Sequence, residues 1–325
     1  MKRWIAGVLF VCTCCFQSPR TSVAASVQYL YWTSWDTGQV TSVRRKPLES
    51  GSPQTLLQGS GGNVGSMPHN FGPEGIAVDY ELGSVFWADV NSNKITRAKL
   101  DGSSRVDIVT GLQDPSAVAV DAQGGKIYWT DTGTDKLQRA NLDGSGVQDL
   151  VTTGMLNASG LTLDIPTGKI YWSDFHTDVI RRANLNGTNV ETLVTMQEAP
   201  SGIALVGNKM YWSDWANGVI LRANLNGTSV ETFLTGLDHP TDLEFDTTTN
   251  RLYYIDWGTN RIDWITLDKT QQGTALADSG ISSLSYFDIV TVPEPASQFL
   301  IIGALSALAA SRRRRNNREL SKFVP

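Results

Sequence analysis

The sequence predicts an all-β fold, a six-bladed β-propeller in which four-stranded antiparallel sheets close into a ring. The main observation is a motif of two aromatic residues, one further residue and then Ser or Asp, which recurs at spacings of 55, 42, 43, 40 and 42 residues. A period near 40 indicates one repeated supersecondary unit, each copy of which buries its apolar face against its neighbours. The six copies are Tyr31-Trp32-Thr33-Ser34, Phe86-Trp87-Ala88-Asp89, Tyr128-Trp129-Thr130-Asp131, Tyr171-Trp172-Ser173-Asp174, Tyr211-Trp212-Ser213-Asp214 and Tyr253-Tyr254-Ile255-Asp256.

Within each period the sequence predicts four strands separated by turns, which is the composition of one propeller blade. In the fourth copy the strands are residues 159–164, 169–174, 179–185 and 190–194, with the aromatic pair in the second. Between the third and fourth strands we expect type I′ turns, because a Gly there supplies the positive φ that such turns require. The turn dipeptides are Asp101-Gly102, Asp143-Gly144, Asn186-Gly187 and Asn226-Gly227.

The two ends of the repeat region predict how the ring closes. The first unit begins directly with its second strand, the one that carries Tyr31. After the sixth motif follow a third strand at 261–267, a fourth at 273–277 and a surplus strand at 282–290. We therefore expect the C-terminal strand to complete the first blade, which removes most exposed sheet edges.

The six motif copies resemble the YWTD repeat, the low-density lipoprotein receptor class B repeat, which implies a six-bladed propeller over residues 26–291. Two copies depart from the pattern, since Ser34 replaces the motif Asp and Tyr254-Ile255 replaces Trp-Thr. These two copies belong to the blades beside the expected ring closure, where the contacts between neighbouring blades differ from those elsewhere.

Residues 1–25 read as an export signal. Lys2 and Arg3 precede an apolar run over 4–16, and small residues at 23–25 offer a cleavage site before Ser26. All three cysteines lie inside this segment, at positions 12, 14 and 15. The mature chain is therefore expected to contain no thiol, which excludes disulfide scaffolding, Cys metal sites and Cys nucleophiles.

The C-terminal segment, 292–315, is predicted to be a second targeting signal, after the export signal at the N-terminus. It contains Pro293-Glu294-Pro295, a short apolar stretch over 299–310 and the basic cluster Arg312-Arg313-Arg314-Arg315. This arrangement resembles the PEP-CTERM sorting signal of Gram-negative bacteria. The resemblance implies export across the inner membrane, a transient membrane helix, recognition by an exosortase-type enzyme, and release or attachment at the cell surface. The alternative is a tail anchor that stays uncut. A tail of 316–325 follows.

Charge limits the classes of partner. Between Ser26 and Pro295 there are 18 basic and 31 acidic residues, a net charge of −13. Such a surface repels phosphate backbones, which argues against nucleic-acid binding. It suits cations or basic partners, although acidity can also serve simply to keep an exported protein soluble.

The motif residues are expected to be structural because they recur once in each blade. Large aromatic side chains fill the wedge between neighbouring sheets, so Trp32, Trp87, Trp129, Trp172 and Trp212 are assigned to the core. In four blades an Arg follows the motif Asp by eight residues, which predicts a charged hydrogen bond that braces the blades. The pairs are Asp89 with Arg97, Asp131 with Arg139, Asp174 with Arg182, and Asp214 with Arg222; Asp256 is the motif Asp of the last copy.

Function is expected on the top face, where the copies differ. Loops before the first strand and after the second share this face, and just after the motif they present Trp35, Phe175, His176, Trp215 and Trp257. Exposed aromatics among acids are common anchors of protein or carbohydrate contacts. The alternative is that these side chains pack against neighbouring loops. An insertion at 59–72 lies on the same face and is a candidate cover of the channel mouth.

A second set of candidates begins the first strand of each blade. In the resembling propellers this position lines the ligand mouth, which implies a ligand-binding role for Glu74, Ser116, Ser159, Ser201 and Thr241. Nearby, Asp242 and Glu244 stand where other blades carry small residues. Two acids on one inner strand are weak candidates for a cation such as Ca²⁺, against the alternative of solvated channel acids. No other cofactor is expected.

Three function classes remain at this point. The preferred one is a non-catalytic, exported binding module that holds an extracellular or envelope protein or glycan on the top face. The second is a metal-dependent propeller enzyme, lactonase-like or lyase-like, with its site at the channel mouth. It is disfavoured because the chain has only three histidines and its inner-strand acids cluster in one blade. The third is a structural surface or matrix protein.

Overall fold

A computed structural model of the chain describes residues 26–36, 40–49, 51–58, 73–277 and 281–293. The predicted export signal, the insertion at 59–72, Glu294, Pro295, the arginine cluster and the tail lie outside the described residues. Within the described part, no helix has the length and apolar character needed to cross a membrane.

The described residues form 24 strands, numbered along the chain. Their bounds are β1 (Ser26–Asp36), β2 (Val40–Pro47), β3 (Gln54–Gln58), β4 (Pro73–Asp79), β5 (Ser84–Asp89), β6 (Lys94–Lys99), β7 (Val106–Thr110), β8 (Pro115–Asp121), β9 (Lys126–Asp131), β10 (Lys136–Asn141), β11 (Gln148–Val151), β12 (Ala158–Asp164), β13 (Lys169–Asp174), β14 (Val179–Asn184), β15 (Glu191–Val194), β16 (Pro200–Val206), β17 (Lys209–Asp214), β18 (Val219–Asn224), β19 (Glu231–Thr235), β20 (Pro240–Asp246), β21 (Arg251–Asp256), β22 (Arg261–Thr266), β23 (Gln272–Ala277) and β24 (Ile281–Pro293).

These strands pair into six four-stranded antiparallel sheets, which confirms the predicted propeller. Blade 1 has the order β24-β1-β2-β3, and blades 2 to 6 each consist of four consecutive strands, from β4–β7 to β20–β23. The surplus C-terminal strand thus forms the inner strand of the first blade, as predicted. The side chain of Gln28 on β1 donates a hydrogen bond to Thr291 on β24 at 3.2 Å.

The hydrophobic core lies between neighbouring blades. The motif tryptophans are buried, with at most 4% of their surface exposed. Tyr128 of blade 3 packs in one cluster with Ile170 and Trp172 of blade 4, and Phe86 of blade 2 packs in another with Trp129 of blade 3. Each sheet therefore depends on the next one for its buried face, as expected for repeated units of this kind.

The third motif position adds polar bonds from blade to blade, a role that the sequence reasoning did not foresee. The hydroxyl of Thr33 in blade 1 donates to the backbone carbonyl of Glu74 in blade 2 at 2.7 Å. In the same way Ser173 donates to the carbonyl of Ser201, and Ser213 to that of Thr241. These hydroxyls satisfy carbonyl groups on the inner strand of the following blade.

The predicted pairing between the motif Asp and the Arg eight residues later is wrong. Asp131 lies at the hairpin end of β9, opposite Lys136, whereas Arg139 lies opposite Tyr128. Three strand positions separate them, about 10 Å at the usual rise. Arg139 instead donates to the carbonyl of Leu185 in blade 4 at 2.9 Å.

Arg139 and two further arginines nevertheless join neighbouring blades, through backbone carbonyls. Arg182 donates to the carbonyl of Leu225 in blade 5 at 3.0 Å, and Arg45 donates to that of Leu100 in blade 2 at 2.7 Å. Arg222 pairs with Glu231 inside its own blade, and Arg97 donates to Ser84.

The turns between third and fourth strands also differ from the prediction. A type I′ turn needs two residues with positive φ. Here Gly187 has φ +81°, whereas Asn186 does not appear in the left-handed region. The amide of Gly187 donates to the carbonyl of Asn184, and the amide of Asn184 donates to the carbonyl of Thr188. The loop is thus longer than two residues, and the side chain of Asn186 accepts from the Thr188 amide.

Candidate functional site

An aromatic row crosses blades 4, 5 and 6 on the top face. It consists of Phe175, Trp215, His239 and Trp257, whose consecutive ring centroids are 6.0, 4.2 and 6.3 Å apart. His176 extends it beside Phe175 at 5.3 Å. The structure therefore brings together four of the five predicted top-face residues and adds His239. The side chain of Trp35 lies outside the described residues.

Backbone hydrogen bonds set the positions of the row. In four blades the amide of the residue after the motif Asp donates to the carbonyl of the residue that precedes the inner strand. The pairs are Thr132 with Asp114 at 3.0 Å, Phe175 with Asn157 at 3.0 Å, Trp215 with Ala199 at 3.2 Å, and Trp257 with His239 at 3.4 Å. Two loops of each blade thus meet at this point. The amide of Leu237 also donates to the carbonyl of Gly218 in blade 5 at 3.0 Å, so His239 comes to lie between the indole rings of two blades.

The motif Asp holds the same loops from below. Asp174 accepts hydrogen bonds from the amides of Leu156 at 2.9 Å and Thr177 at 3.2 Å. Asp214 does the same with the amides of Glu198 at 3.2 Å and Asn217 at 3.0 Å. The carboxylate of each motif thereby fixes the two loops that carry the row, which is the structural role that sequence reasoning assigned to it only in general terms.

The residues before the inner strands adopt a left-handed backbone. Asp114, Asn157, Ala199 and His239 have φ values of 56°, 67°, 58° and 58°. Asn and Asp tolerate this conformation better than most residues, because their short polar side chains can form local hydrogen bonds. Ala has no such side chain, so its Cβ makes the conformation unfavourable. A strained position therefore recurs next to the aromatic row.

The row is accessible to solvent. The side chain of His176 is exposed, Trp257 is 41% exposed, and Phe175 and Trp215 are half-buried. Trp257 is oriented by a hydrogen bond from its Nε1 to the hydroxyl of Ser283 at 2.6 Å. His239 Nδ1 lies 2.6 Å from Oδ1 of Asp238. A rigid, partly apolar surface with polar groups at its edge has the character of a binding site.

The second predicted set lies around the channel and takes part in internal contacts. Glu74 accepts a hydrogen bond from the hydroxyl of Ser116 at 2.7 Å, and the hydroxyl of Ser159 donates to the carbonyl of Pro200 at 3.3 Å. The carbonyls of Ser201 and Thr241 accept from the motif hydroxyls described above. Their role in ligand binding stays a prediction.

Tyr286 spans the channel. It belongs to β24 in blade 1, and its hydroxyl donates to the carbonyl of Ser159 in blade 4 at 2.7 Å. The same hydroxyl lies 3.3 Å from that of Ser116 in blade 3. The closing strand thus contacts blades on the far side of the ring, and its amide at Tyr286 donates to the motif hydroxyl of Thr33 at 3.1 Å.

Acidic side chains line a channel cavity of about 250 Å³ beside Tyr286. Asp242 accepts from the amide of Phe287 at 2.9 Å, which joins blade 6 to β24. Asp288 accepts from the amide of Val78 at 2.6 Å, which joins β24 to blade 2. Glu244 lines the same cavity.

Loss of hydration raises the pKa of these channel acids. Removal from water raises the pKa of Asp242 and that of Asp288 to about 7 each. The same cause raises the pKa of Glu74 to about 7. For Glu244 loss of hydration, with the charges of Asp288 and Asp242 added, raises the pKa well above its usual value. These acids therefore retain their protons to a higher pH than exposed carboxyl groups do.

The metal candidates do not form a cation site of the usual kind. Among the described residues, no group of three or more His, Cys, Asp or Glu side chains is placed to hold a metal ion. A cation at Asp242 and Glu244 stays a prediction, which elemental analysis of the purified protein would test.

Sequence reasoning missed three residues of the candidate site, His239, Tyr286 and Asp288. His239 occupies the position before an inner strand, as Asp114 and Ala199 do, and each of the three precedes a Pro. Alignment of these loops would have placed His239 on the top face. Alignment of the surplus strand with the inner strands would have placed Tyr286 and Asp288 beside the channel.

Comparison with known families identifies the repeat. Residues 83–122, 125–165, 168–205 and 208–243 match the low-density lipoprotein receptor repeat class B, and residues 291–315 match the PEP-CTERM protein-sorting motif. The protein is thus a six-bladed β-propeller. Four of its repeats are YWTD repeats of this class, and a PEP-CTERM motif follows the propeller. The matched repeats contain the second to fifth motif copies, so the two copies that depart from the pattern fall outside them.

Solved structures share the fold. A chain in the crystal structure of a nidogen/laminin complex is 24% identical, with a TM-score of 0.70, and the match covers 81% of this chain and 98% of that one. A virginiamycin B lyase from Staphylococcus aureus is 19% identical with a TM-score of 0.53, covering 63% of this chain and 70% of that one. A streptogramin B lyase has the same identity and score, with coverage of 63% and 68%. These similarities show a common fold.

Substitution of Ala199 by Gly should stabilise the protein. Ala199 has φ 58°, a conformation that Gly adopts without the steric cost that a Cβ imposes. We expect a gain of about 1 kcal/mol in the free energy of unfolding, measured by urea denaturation. Ala216→Gly, in the same pair of loops but without positive φ, is the control and should be neutral or destabilising. Equal effects of the two substitutions would contradict the assignment of strain.

Stability should fall as the pH rises from about 5 to about 8. The folded-state pKa values of Asp242, Asp288 and Glu74 lie near 7, above the value of about 4 for unfolded chains. The folded state therefore binds more protons in this interval. The stability that protonation contributes is fully present below about pH 4 and is lost as the pH passes through 7. Thermal unfolding followed by circular dichroism should show Tm decreasing over this range.

Asp288→Asn should reduce this pH dependence, because it removes one of the titrating groups. Asp143→Asn is the matched control, since Asp143 lies exposed in a turn on the opposite face and its own hydrogen bond to Ser145 lowers its pKa. A Tm of the unsubstituted protein that rises or stays constant between about pH 5 and 8 would contradict the assignment.

Proposed function

We propose that the chain is a non-catalytic, exported binding module that holds a protein or glycan of the cell envelope or extracellular matrix on its aromatic row. The observation that carries the proposal is the continuity of the row across three blades. Trp215, His239 and Trp257 are partly exposed, yet both loops beneath them are fixed by backbone bonds. A pre-ordered aromatic surface loses little conformational entropy on binding, which favours its use as an anchor.

The repeat class supports this proposal. The class B repeats favour a protein-binding role over a catalytic one, and the contacts of the motif residues lie within the scaffold. The sorting motif supports export, processing by an exosortase-type enzyme, and a membrane anchor that persists until that processing. The similarity to lyases is one of fold, because identity to them is only 19%.

The direct test is removal of two members of the row. Trp215→Ala with Trp257→Ala should lower binding to proteins and glycans extracted from the producing cells' surface by at least about tenfold, because both indole anchors of the row are lost. Binding would be measured by surface plasmon resonance with the purified chain immobilised. Circular dichroism should show a folded propeller, since both side chains are accessible.

Tyr80→Ala provides the matched control. Tyr80 is 38% exposed in the turn between β4 and β5, on the opposite face of the ring. Its removal should leave binding unchanged. If the double Trp variant bound as tightly as the unsubstituted chain, the top-face proposal would be wrong.

A further inference from the structure

The described top-face loops carry acidic residues but no Lys or Arg. The five acids are Asp114, Asp135, Asp178, Glu198 and Asp238. The described turns of the opposite face also carry five acids, but Arg105 and Lys269 accompany them there. The top-face loops therefore lack the basic residues that offset part of the negative charge on the opposite face.

Three of these acids flank the aromatic row. Asp238 is the neighbour of His239 and contacts its ring at 2.6 Å. Glu198 accepts the amide of Ala216, next to Trp215, through its backbone carbonyl. Asp178 accepts the amide of Ala199, whose own carbonyl holds Trp215. The row thus adjoins three acidic residues, and the Asp238 carboxylate contacts one of its rings directly.

Cations on the adjoining strands do not neutralise this surface, because they already have partners. Lys94 pairs with Asp107 at 3.0 Å and Lys136 with Asp149 at 2.9 Å, each within its own blade. Arg261 pairs with Asp263 at 3.0 Å, and Arg181 donates to the carbonyl of Gly154. These cations are therefore engaged within the scaffold and do not pair with the acids beside the row.

We infer that the partner presents arginine side chains to the aromatic row, and that it is a basic peptide segment of a surface protein. This inference rests on the proposed function of the top face. A guanidinium stacks on aromatic rings and forms paired hydrogen bonds with carboxylates, so it matches both components of the row. Lysine can make the ion pair but not the planar stack.

The ring geometry favours such a partner over a neutral glycan. Consecutive rings of the row are inclined to one another by 61°, 49° and 85°. They do not form the flat platform on which successive sugar rings could stack. The rings contact one another, so separate cationic side chains would stack on their solvent-exposed faces and edges rather than between them. Electrostatic complementarity then contributes to the rate and specificity of association.

The probe is a fluorescein-labelled peptide of alternating Arg and Gly, compared with the same peptide in which citrulline replaces Arg. Citrulline keeps the planar shape but lacks the charge. Fluorescence polarisation with the purified chain should show binding of the Arg peptide at least about tenfold tighter than that of the citrulline peptide. The difference should shrink with added salt, because exposed charges are screened. Equal affinity for the two peptides would overturn the inference.

Two sets of variants locate the binding. Glu198→Gln with Asp238→Asn should weaken binding of the Arg peptide at least about fivefold, whereas Glu81→Gln, an exposed acid in a turn of the opposite face, should leave it unchanged. Trp215→Ala should weaken it as well. If all variants bound the peptide equally, the attraction would be diffuse charge and the inference would be wrong.

The same variants and probes distinguish a failure of this inference from a failure of the proposed function. If the chain captures surface material through Trp215 and Trp257 but does not bind the Arg peptide, the proposed function stands and the inference of a cationic partner is wrong. A chain that captures nothing through these residues refutes the proposed function itself. Capture of a neutral glycan that depends on the row would likewise overturn the cationic partner.

Discussion

Closure of the ring by β24 is the constraint on which the rest of the structure depends. Each blade buries its aromatic face against the next, so an open array would leave one face of the first and last blades exposed to water. The C-terminal strand prevents this by pairing with β1, 245 residues or more away in sequence. Asp242 and Asp288 then tie β24 to the blades on both sides.

In the closed ring, the residues that hold the scaffold together are different from those that vary on the top face. The motif hydroxyls, the arginines and the motif Asp all serve contacts within the ring, which leaves the loops after the motif free to vary. The shared backbone bonds fix where these loops lie, but they do not restrict which side chains the loops carry. Blades 4 to 6 use this variation to build the aromatic row, whereas the channel is crossed by Tyr286 and has a cavity lined by acids.

Much of the fold was predictable because a period near 40 and a displaced strand specify the number of blades and the means of closure. Three members of the aromatic row were predictable because they follow the motif directly. His239 was not, because its proximity to Trp215 depends on a bond between two loops. The contact of Tyr286 with the far side of the ring depends on the diameter of the channel, which the spacing of the motifs along the sequence does not give. The Asp–Arg pairing failed because an even spacing does not say at which end of a hairpin each residue lies.

The central claim is that β24 is an integral inner strand, and hydrogen exchange measured by mass spectrometry tests it most directly. Amides between Leu284 and Val290 should exchange as slowly as those of β8, an inner strand whose blade is continuous in sequence, because both open only with the whole ring. Exchange of the β24 amides that is orders of magnitude faster than that of β8 would show that the strand is loosely attached and would contradict the account.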